Sequence, residues 1–128
     1  RIRWGKRAKL ELLGHVKAGS CHLLWSAALD YECSRNPYPD NQLPITQWRW
    51  LAKKIIEAGP EVVALAKPML ENGIKSYDAL HVASAIAGGA DFFVTTDDRL
   101  LKNLRRQGMH NAYLPTDALA ILENWYEN

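Results

Sequence analysis

The chain has 128 residues, of which 48% are hydrophobic and 23% are charged, and its formal net charge is +2. This balance is typical of a folded globular domain and excludes a disordered chain, which needs low hydrophobicity or a high net charge. It also argues against a membrane protein, because a membrane helix needs about 20 apolar residues in a row, and His81 and Asp91 interrupt the most apolar stretch. Two cysteines, Cys21 and Cys33, are too few for a disulfide scaffold and favour a cytoplasmic location.

Charge is unevenly distributed along the chain. Basic residues are concentrated in residues 1–17 and 99–106, and the residues between these two segments are acidic overall. This layout favours an anionic polymer as partner, steered towards carboxylates that hold a metal. The alternative, which is the commoner cause of such a pattern, is a set of solvated helix faces that simply carry charge.

Apolar residues at helical spacing, bounded by glycine, proline or capping residues, predict seven helices. In chain order these cover about residues 4–16, 26–33, 45–58, 61–71, 76–87, 98–107 and 115 onwards. The first of the predicted helices ends at Gly19, and Ser26 is the expected cap of the second. A loop is expected over residues 37–41.

Three short apolar runs, residues 22–25, 92–95 and 112–114, predict strands. Helices that alternate with short apolar strands are typical of the α/β class with a parallel sheet. Three strands are few for such a sheet. We expect a single domain over residues 1–128, a length that can bury one core.

Acidic residues follow two of the predicted strands, and ligands bind at the carboxyl ends of strands in open parallel sheets. Asp97 comes directly after the strand 92–95, and Glu32 lies in the second turn of the helix after the first strand. Asp78 lies near the start of an alanine-rich helix, where a carboxylate is costly unless it is paired or binds a metal. These three carboxylates are candidates for one oxygen-ligand cluster, which would suit Mg²⁺ or Mn²⁺ better than zinc.

Each acid also has a structural explanation that the pattern leaves open. Asp97 and Asp98 have the position of helix caps, and Asp78 that of a first-turn acid stabilised by the helix dipole. Glu32 could be a surface acid paired with Arg35. Spacing by itself therefore does not separate a metal site from ordinary helix termini.

Two stretches of the sequence resemble the PIN-domain family. They are GIKSYDALHVA at residues 73–83 and DFFVTTDDRLLK at residues 91–102. The segment from Trp25 to Pro37 is similar to the part of the family that carries its second acid. The resemblance spans nearly the whole chain, and the two motifs together are more specific than either alone.

The resemblance implies a three-layer α/β/α fold with a small parallel sheet, similar to that of 5′-nucleases. It also implies a metal-dependent endoribonuclease that uses Mg²⁺ or Mn²⁺, often as the toxin of a toxin–antitoxin pair. Glu32, Asp78 and Asp97 match the family's second, third and fourth acids, which are expected to be catalytic and to hold the metal. Thr95 matches its hydroxyl position, and Asp98 is an additional acid for the metal.

Further residues are expected around this site. Thr96 and His81 would line it, and His81, one turn after Asp78, is either an acid–base group or a packed histidine with local hydrogen bonds. Positively charged side chains expected to hold the RNA backbone are Arg99, Lys102 and Arg35. The expected partners are RNA, an antitoxin protein and a second copy of the chain, with no membrane.

The sequence departs from the family pattern at its start. The family's first acid lies at the end of the first, central strand, and no such segment precedes Arg1. We therefore expect an N-terminally incomplete domain whose first central strand is missing. This departure favours an alternative function, a catalytically incomplete domain that binds RNA or a protein partner. A further alternative is a structural or oligomerisation domain whose acids are only helix caps.

Overall fold

A computed structural model describes residues 2–35 and 47–127, and the side chains of residues 7–35 and 47–124. The predicted loop at 37–41 and the start of the predicted helix 45–58 lie outside the described residues. The chain divides into two compact units, Arg1–Cys21 with Asp91–Asn128 (unit 1) and His22–Ala90 (unit 2). Among the described residues, no helix is both long and apolar enough to cross a bilayer.

Helices predominate, and the strands are two or three residues long. In chain order the described elements are α1 (Ile2–Ala18), β1 (Leu24–Ser26), α2 (Ala27–Ser34), β2 (Lys54–Ile56), α3 (Pro60–Glu71), α4 (Ser76–Ala87), β3 (Phe93–Val94), α5 (Asp98–Arg106), β4 (Ala112–Tyr113) and α6 (Pro115–Glu127). Residues 47–51 are also helical. Among the described residues each unit contains one parallel pair of strands, so the predicted α/β class is confirmed, with two small parallel sheets where one was expected.

In unit 2, β1 pairs in parallel with β2, with Leu24 opposite Lys54 and Ser26 opposite Ile56. The prediction of a helix through residue 58 is therefore wrong, because the chain leaves the helix after residue 51 and becomes a strand. Lys53 N–H donates to the Leu23 carbonyl at 2.9 Å, directly before the paired residues. Ile56 is buried, so strand pairing and side-chain burial override the helical spacing of this segment.

The core of unit 2 is built around α4, whose inward residues are small. Ala79, Val82 and Ala83 have no exposed surface, so the inward face of this alanine-rich helix is fully buried. Small side chains let α2, α3 and the strands approach this helix closely, and α3 contacts it along its length. At its C-terminal end, Gly88 lies against Leu24 and Ile56, the side chains of the two strands.

In unit 1, α1 packs against α6, and β3 pairs in parallel with β4. Phe93 is opposite Ala112, and the rings of Phe92 and Tyr113 meet edge to face. α5 is amphipathic, with inward leucines and outward basic residues. Its buried side chains are Leu100, Leu101 and Leu104, and its exposed ones include Arg99, Lys102, Arg105 and Arg106.

One carboxylate ties the helical residues 47–51 to α2. Asp30 accepts hydrogen bonds from Arg49 Nε at 2.8 Å and Nη2 at 3.2 Å, and from the indole N–H of Trp25 at 2.9 Å. The hydrogen bonds from Arg49 lower the pKa of Asp30 below its ordinary value, and that from Trp25 lowers it further. The same carboxylate therefore orients the buried Trp25 ring and fixes the segment before β2.

Two glycine substitutions should have opposite effects on stability. A Cβ at position 88 would lie 2.9 Å from Ile56 Cδ1 and 3.0 Å from Leu24 Cδ1, so Gly88→Ala should lower the free energy of unfolding by about 1 kcal/mol. Gly14→Ala meets nothing within 4 Å inside α1 and should raise it by roughly 0.5–1 kcal/mol. Urea denaturation of both variants would measure this. A stabilising Gly88→Ala would contradict the described packing.

Asp30 should contribute to stability at neutral pH and lose that contribution in acid. Its pKa is lowered in the folded state, so the contribution is present above the ordinary Asp pKa and disappears as the pH falls through the lowered value. Because the side chain is 38% exposed, solvent screens the pair, and Asp30→Asn should cost about 1 kcal/mol at pH 7. Thermal melts from pH 7 to pH 2 should show this difference shrinking. Asp91→Asn, an exposed acid of unit 1, is the control and should not reproduce it.

Candidate functional site

A chain of hydrogen bonds links the end of β1 to α2 through a histidine of α4. His81 Nδ1 lies 3.0 Å from Ser26 Oγ, and His81 Nε2 lies 3.0 Å from Glu32 Oε1. A carboxylate can only accept, so Nε2 carries a proton; in the neutral ring Nδ1 then accepts from the Ser26 hydroxyl. The His81 side chain is 16% exposed and that of Glu32 is 41% exposed. A largely buried ring thus holds a carboxylate that reaches solvent.

A second serine supports this chain from within α4. Ser84 is buried; its hydroxyl donates to the Leu80 carbonyl at 2.7 Å and lies 3.3 Å from Ser26 Oγ. Ser26 occupies the N-cap position of α2, as predicted, but its side chain makes no capping hydrogen bond. The hydroxyl contacts His81 instead, because that ring nitrogen lies within reach inside the unit.

Two local alternatives for these residues are wrong. His81 does not bond locally, since its partners are 55 and 49 residues away in sequence. Glu32 pairs with His81, while the guanidinium of Arg35 lies 5.0 Å from the centroid of the Tyr31 ring. Neither partner could be derived from spacing, because both depend on the packing of α2 against α4.

Asp78 lies in the first turn of α4, one helical turn before His81, and it is half-buried. Residues three apart are neighbours on a helix surface, so Asp78 and His81 share one side of α4. α2, which carries Glu32, packs against this helix. Unit 2 therefore brings Glu32 and His81 into direct contact and places Asp78 on the neighbouring turn.

In unit 1, Asp97 caps α5. Its Oδ1 accepts from the backbone N–H groups of Arg99 at 2.9 Å and Leu100 at 3.1 Å, which confirms the helix-cap alternative. The backbone N–H of Asp97 donates to Thr95 Oγ1 at 3.1 Å. Asp98 lies in the first turn of the same helix. The cap fixes the direction of the Asp97 carboxylate, and the metal-ligand roles of both acids stay predictions.

Three of the remaining predicted residues of unit 1 lie on its exposed side. Thr96 is exposed between β3 and α5, and Arg99 and Lys102 are exposed on α5. Their side chains are accessible to a large anion such as RNA. Their assignment to RNA binding stays a prediction.

Unit 2 has an open groove with a volume of about 520 Å³ at the carboxyl ends of β1 and β2. Its polar lining comes from Tyr31, Tyr77 and Glu57, and small or apolar residues form the rest. None of the three is among the residues predicted for the site. A signal was present, however, because Tyr31 immediately precedes Glu32, and Tyr77 immediately precedes Asp78.

The sequence model of the PIN domain matches residues 8–106, more than half of the chain. The chain belongs to the PIN domain family. This confirms the predicted family, and PIN domains are generally nucleases. No curated protein and no solved structure gives a significant match. The matched range includes Glu32, Asp78 and Asp97, whose catalytic roles stay predictions.

PIN domains typically use divalent metals, which the acids of this chain would have to hold. Carboxylates are the donors that Mg²⁺ and Mn²⁺ prefer. Within residues 2–35 and 47–127, however, no group of three or more His, Cys, Asp or Glu side chains is placed to hold a metal ion. Glu32 is hydrogen-bonded to His81, and Asp97 caps a helix. These contacts involve Oε1 of Glu32 and Oδ1 of Asp97, and the carboxylates of Glu32, Asp78 and Asp97 are the donors that would hold the ion.

The hydrogen-bond chain can be tested through the tautomer of His81. We expect ¹⁵N NMR at neutral pH to show the proton on Nε2 in the neutral ring. Ser26→Ala removes the donor to Nδ1 and should lower the free energy of unfolding by about 1 kcal/mol. The control is Ser34→Ala, which removes an exposed hydroxyl that donates to the Tyr31 carbonyl and should cost less than about 0.5 kcal/mol. A neutral ring protonated on Nδ1 would contradict the described network.

Proposed function

We propose that this protein is a metal-dependent endoribonuclease that hydrolyses RNA phosphodiesters, with Glu32, Asp78 and Asp97 as its catalytic acids. The observation that carries the proposal is the PIN family match over residues 8–106, which includes all three acids. The geometry of unit 2 supports it, since His81 holds the Glu32 carboxylate in a fixed, solvent-reaching position. A fixed carboxylate suits catalysis because the cost of orienting it is met during folding.

The other predicted residues complete the proposal. Arg99, Lys102 and Arg35 would position the RNA backbone through contacts with phosphates. The residues proposed to lie around the acids are Thr95, Thr96, His81 and the additional acid Asp98. When bound, Mg²⁺ or Mn²⁺ would activate water and stabilise charge on the phosphate. This part of the proposal rests on the family, whose members typically use divalent metals.

We also propose that residues 1–128 function as one domain in the cytoplasm. The family match begins in unit 1, runs through unit 2 and continues into unit 1 again. Cys21 and Cys33 are thiols rather than a disulfide, which supports a reducing compartment. A toxin role with an antitoxin partner, and a homodimer, are further proposals that follow from the family resemblance.

A second function has an observation in its favour. Because the described residues contain no group of three metal-holding side chains, the domain would instead bind RNA or a protein partner without cleaving it. The two functions differ in one measurement, since both predict RNA binding and only the first predicts metal-dependent cleavage.

Cleavage of single-stranded RNA should require a divalent ion and all three acids. We expect activity to rise on titration with Mn²⁺ or Mg²⁺ and to disappear with EDTA. Glu32→Gln, Asp78→Asn and Asp97→Asn should each lower the cleavage rate by about a hundredfold or more. The control Asp91→Asn removes an exposed acid outside the proposed site and should retain activity.

Three results would count against the nuclease. RNA binding without cleavage at any Mn²⁺ concentration would favour the binding function. Equal cleavage by wild type and Asp78→Asn would show that the proposed acids are wrong. Loss of stability without loss of metal affinity in Asp78→Asn and Asp97→Asn would favour a structural role for these acids.

A further inference from the structure

The groove of unit 2 combines aromatic and acidic side chains in one open site. The rings of Tyr31 and Tyr77 have centroids 6.4 Å apart and are tilted by 41°. Glu57, the first residue after β2, lines the same groove. Tyr31 is 55% exposed, so part of its surface is available to a ligand. Aromatic faces beside a hydrogen-bonding carboxylate are the features by which proteins recognise unpaired bases.

The tyrosines form a platform rather than a slot. A planar base stacked between two rings needs them about 7 Å apart and parallel, since each contact takes about 3.5 Å. The observed separation and tilt of Tyr31 and Tyr77 do not allow this. Tyr77 is also nearly parallel to His81, with ring centroids 6.5 Å apart and a 17° interplanar angle. A base would therefore pack against the groove side of the tyrosine pair.

Glu57 supplies the charged hydrogen-bonding group of the groove. A carboxylate only accepts hydrogen bonds, and its two oxygens match two adjacent donors. Guanine offers such a pair on its Watson–Crick edge, N1–H and the N2 amino group. Adenine and cytosine place an acceptor beside their amino group, and uracil has one N–H between two carbonyls. The second carboxylate oxygen would meet an acceptor in each of these three bases, which costs binding free energy.

The groove is linked to Glu32, one of the proposed catalytic acids, through His81, whose ring centroid lies 6.5 Å from that of Tyr77 and whose Nε2 lies 3.0 Å from Glu32 Oε1. Tyr31 and Tyr77 are each followed directly by one of these acids, Glu32 and Asp78. Arg35 lies over the Tyr31 ring and adds positive charge for a phosphate. Arg49 and Asp30 do not line the groove, but Arg49 is near enough to Glu57 for an electrostatic interaction with its carboxylate.

We propose that Tyr31, Tyr77 and Glu57 form a nucleobase subsite that selects guanine in the RNA beside the acids. The inference deepens the proposed nuclease function and rests on it for the nature of the substrate. The subsite makes the domain selective for guanine-containing RNA through hydrogen bonds to the base edge.

The subsite can be tested without cleavage by titrating the full chain with each of the four nucleoside 5′-monophosphates. ¹H–¹⁵N NMR spectra would measure the affinity for each nucleotide. We expect GMP to bind about tenfold more tightly than AMP, CMP or UMP, because one bidentate pair of hydrogen bonds provides about this much discrimination between bases. The shifted resonances should include Tyr31, Tyr77 and Glu57. Glu57→Gln should lower the affinity for GMP to that for the other nucleotides. Tyr31→Leu should weaken all four, and Tyr31→Phe should restore binding.

The matched control is Glu61→Gln, an exposed acid in the first turn of α3 that does not line the groove. This variant should bind GMP like the wild type. Equal affinities for the four nucleotides, no detectable binding, or an unchanged preference in Glu57→Gln would each overturn the proposal. Guanine preference in a chain that cleaves no RNA would uphold the subsite and refute the nuclease, so the two failures are distinguishable.

Discussion

The hydrogen bonds of His81 are the constraint on which the candidate site of unit 2 depends. One ring connects Ser26 at the end of β1 with Glu32 on α2, and it does so from α4. The ring can reach both because α4 presents Ala79 and Ala83, whose small side chains let its neighbours come close. Removing the ring would take away a hydrogen-bond partner of the half-buried Ser26 hydroxyl, which is more costly than losing an exposed contact.

The carboxylates proposed for catalysis also have structural partners. Glu32 accepts from the histidine, and Asp97 accepts from two backbone N–H groups at the start of α5. Both contacts hold a charged group in one direction before any ligand arrives, which is how preorganised sites are supported. Glu32 and Asp97 therefore make the pairing and capping contacts that a structural role predicts. These contacts are also compatible with a catalytic role for both carboxylates.

Local signals were sufficient for much of the fold. Glycines that mark helix ends, such as Gly73 and Gly108, adopt positive φ angles of 88° and 92° that other residues rarely tolerate, so the predicted ends of α3 and α5 hold. The three predicted strands are also present as β1, β3 and β4. The sequence does not predict β2, because Ile55 and Ile56 continue the apolar spacing of a helix. A strand of three residues is also too short to show the alternating pattern of a strand.

By itself, the sequence determined the α/β class, most helix boundaries and the family, because these depend on short-range patterns and on motifs of adjacent residues. Only the tertiary structure decided that residues 54–56 pair with β1, that His81 joins Ser26 to Glu32, and that Tyr31 and Tyr77 share a groove with Glu57. These contacts join residues about 20 to 55 positions apart, and no local preference encodes them. They form when the small-residue face of α4 is buried against the strands and α2.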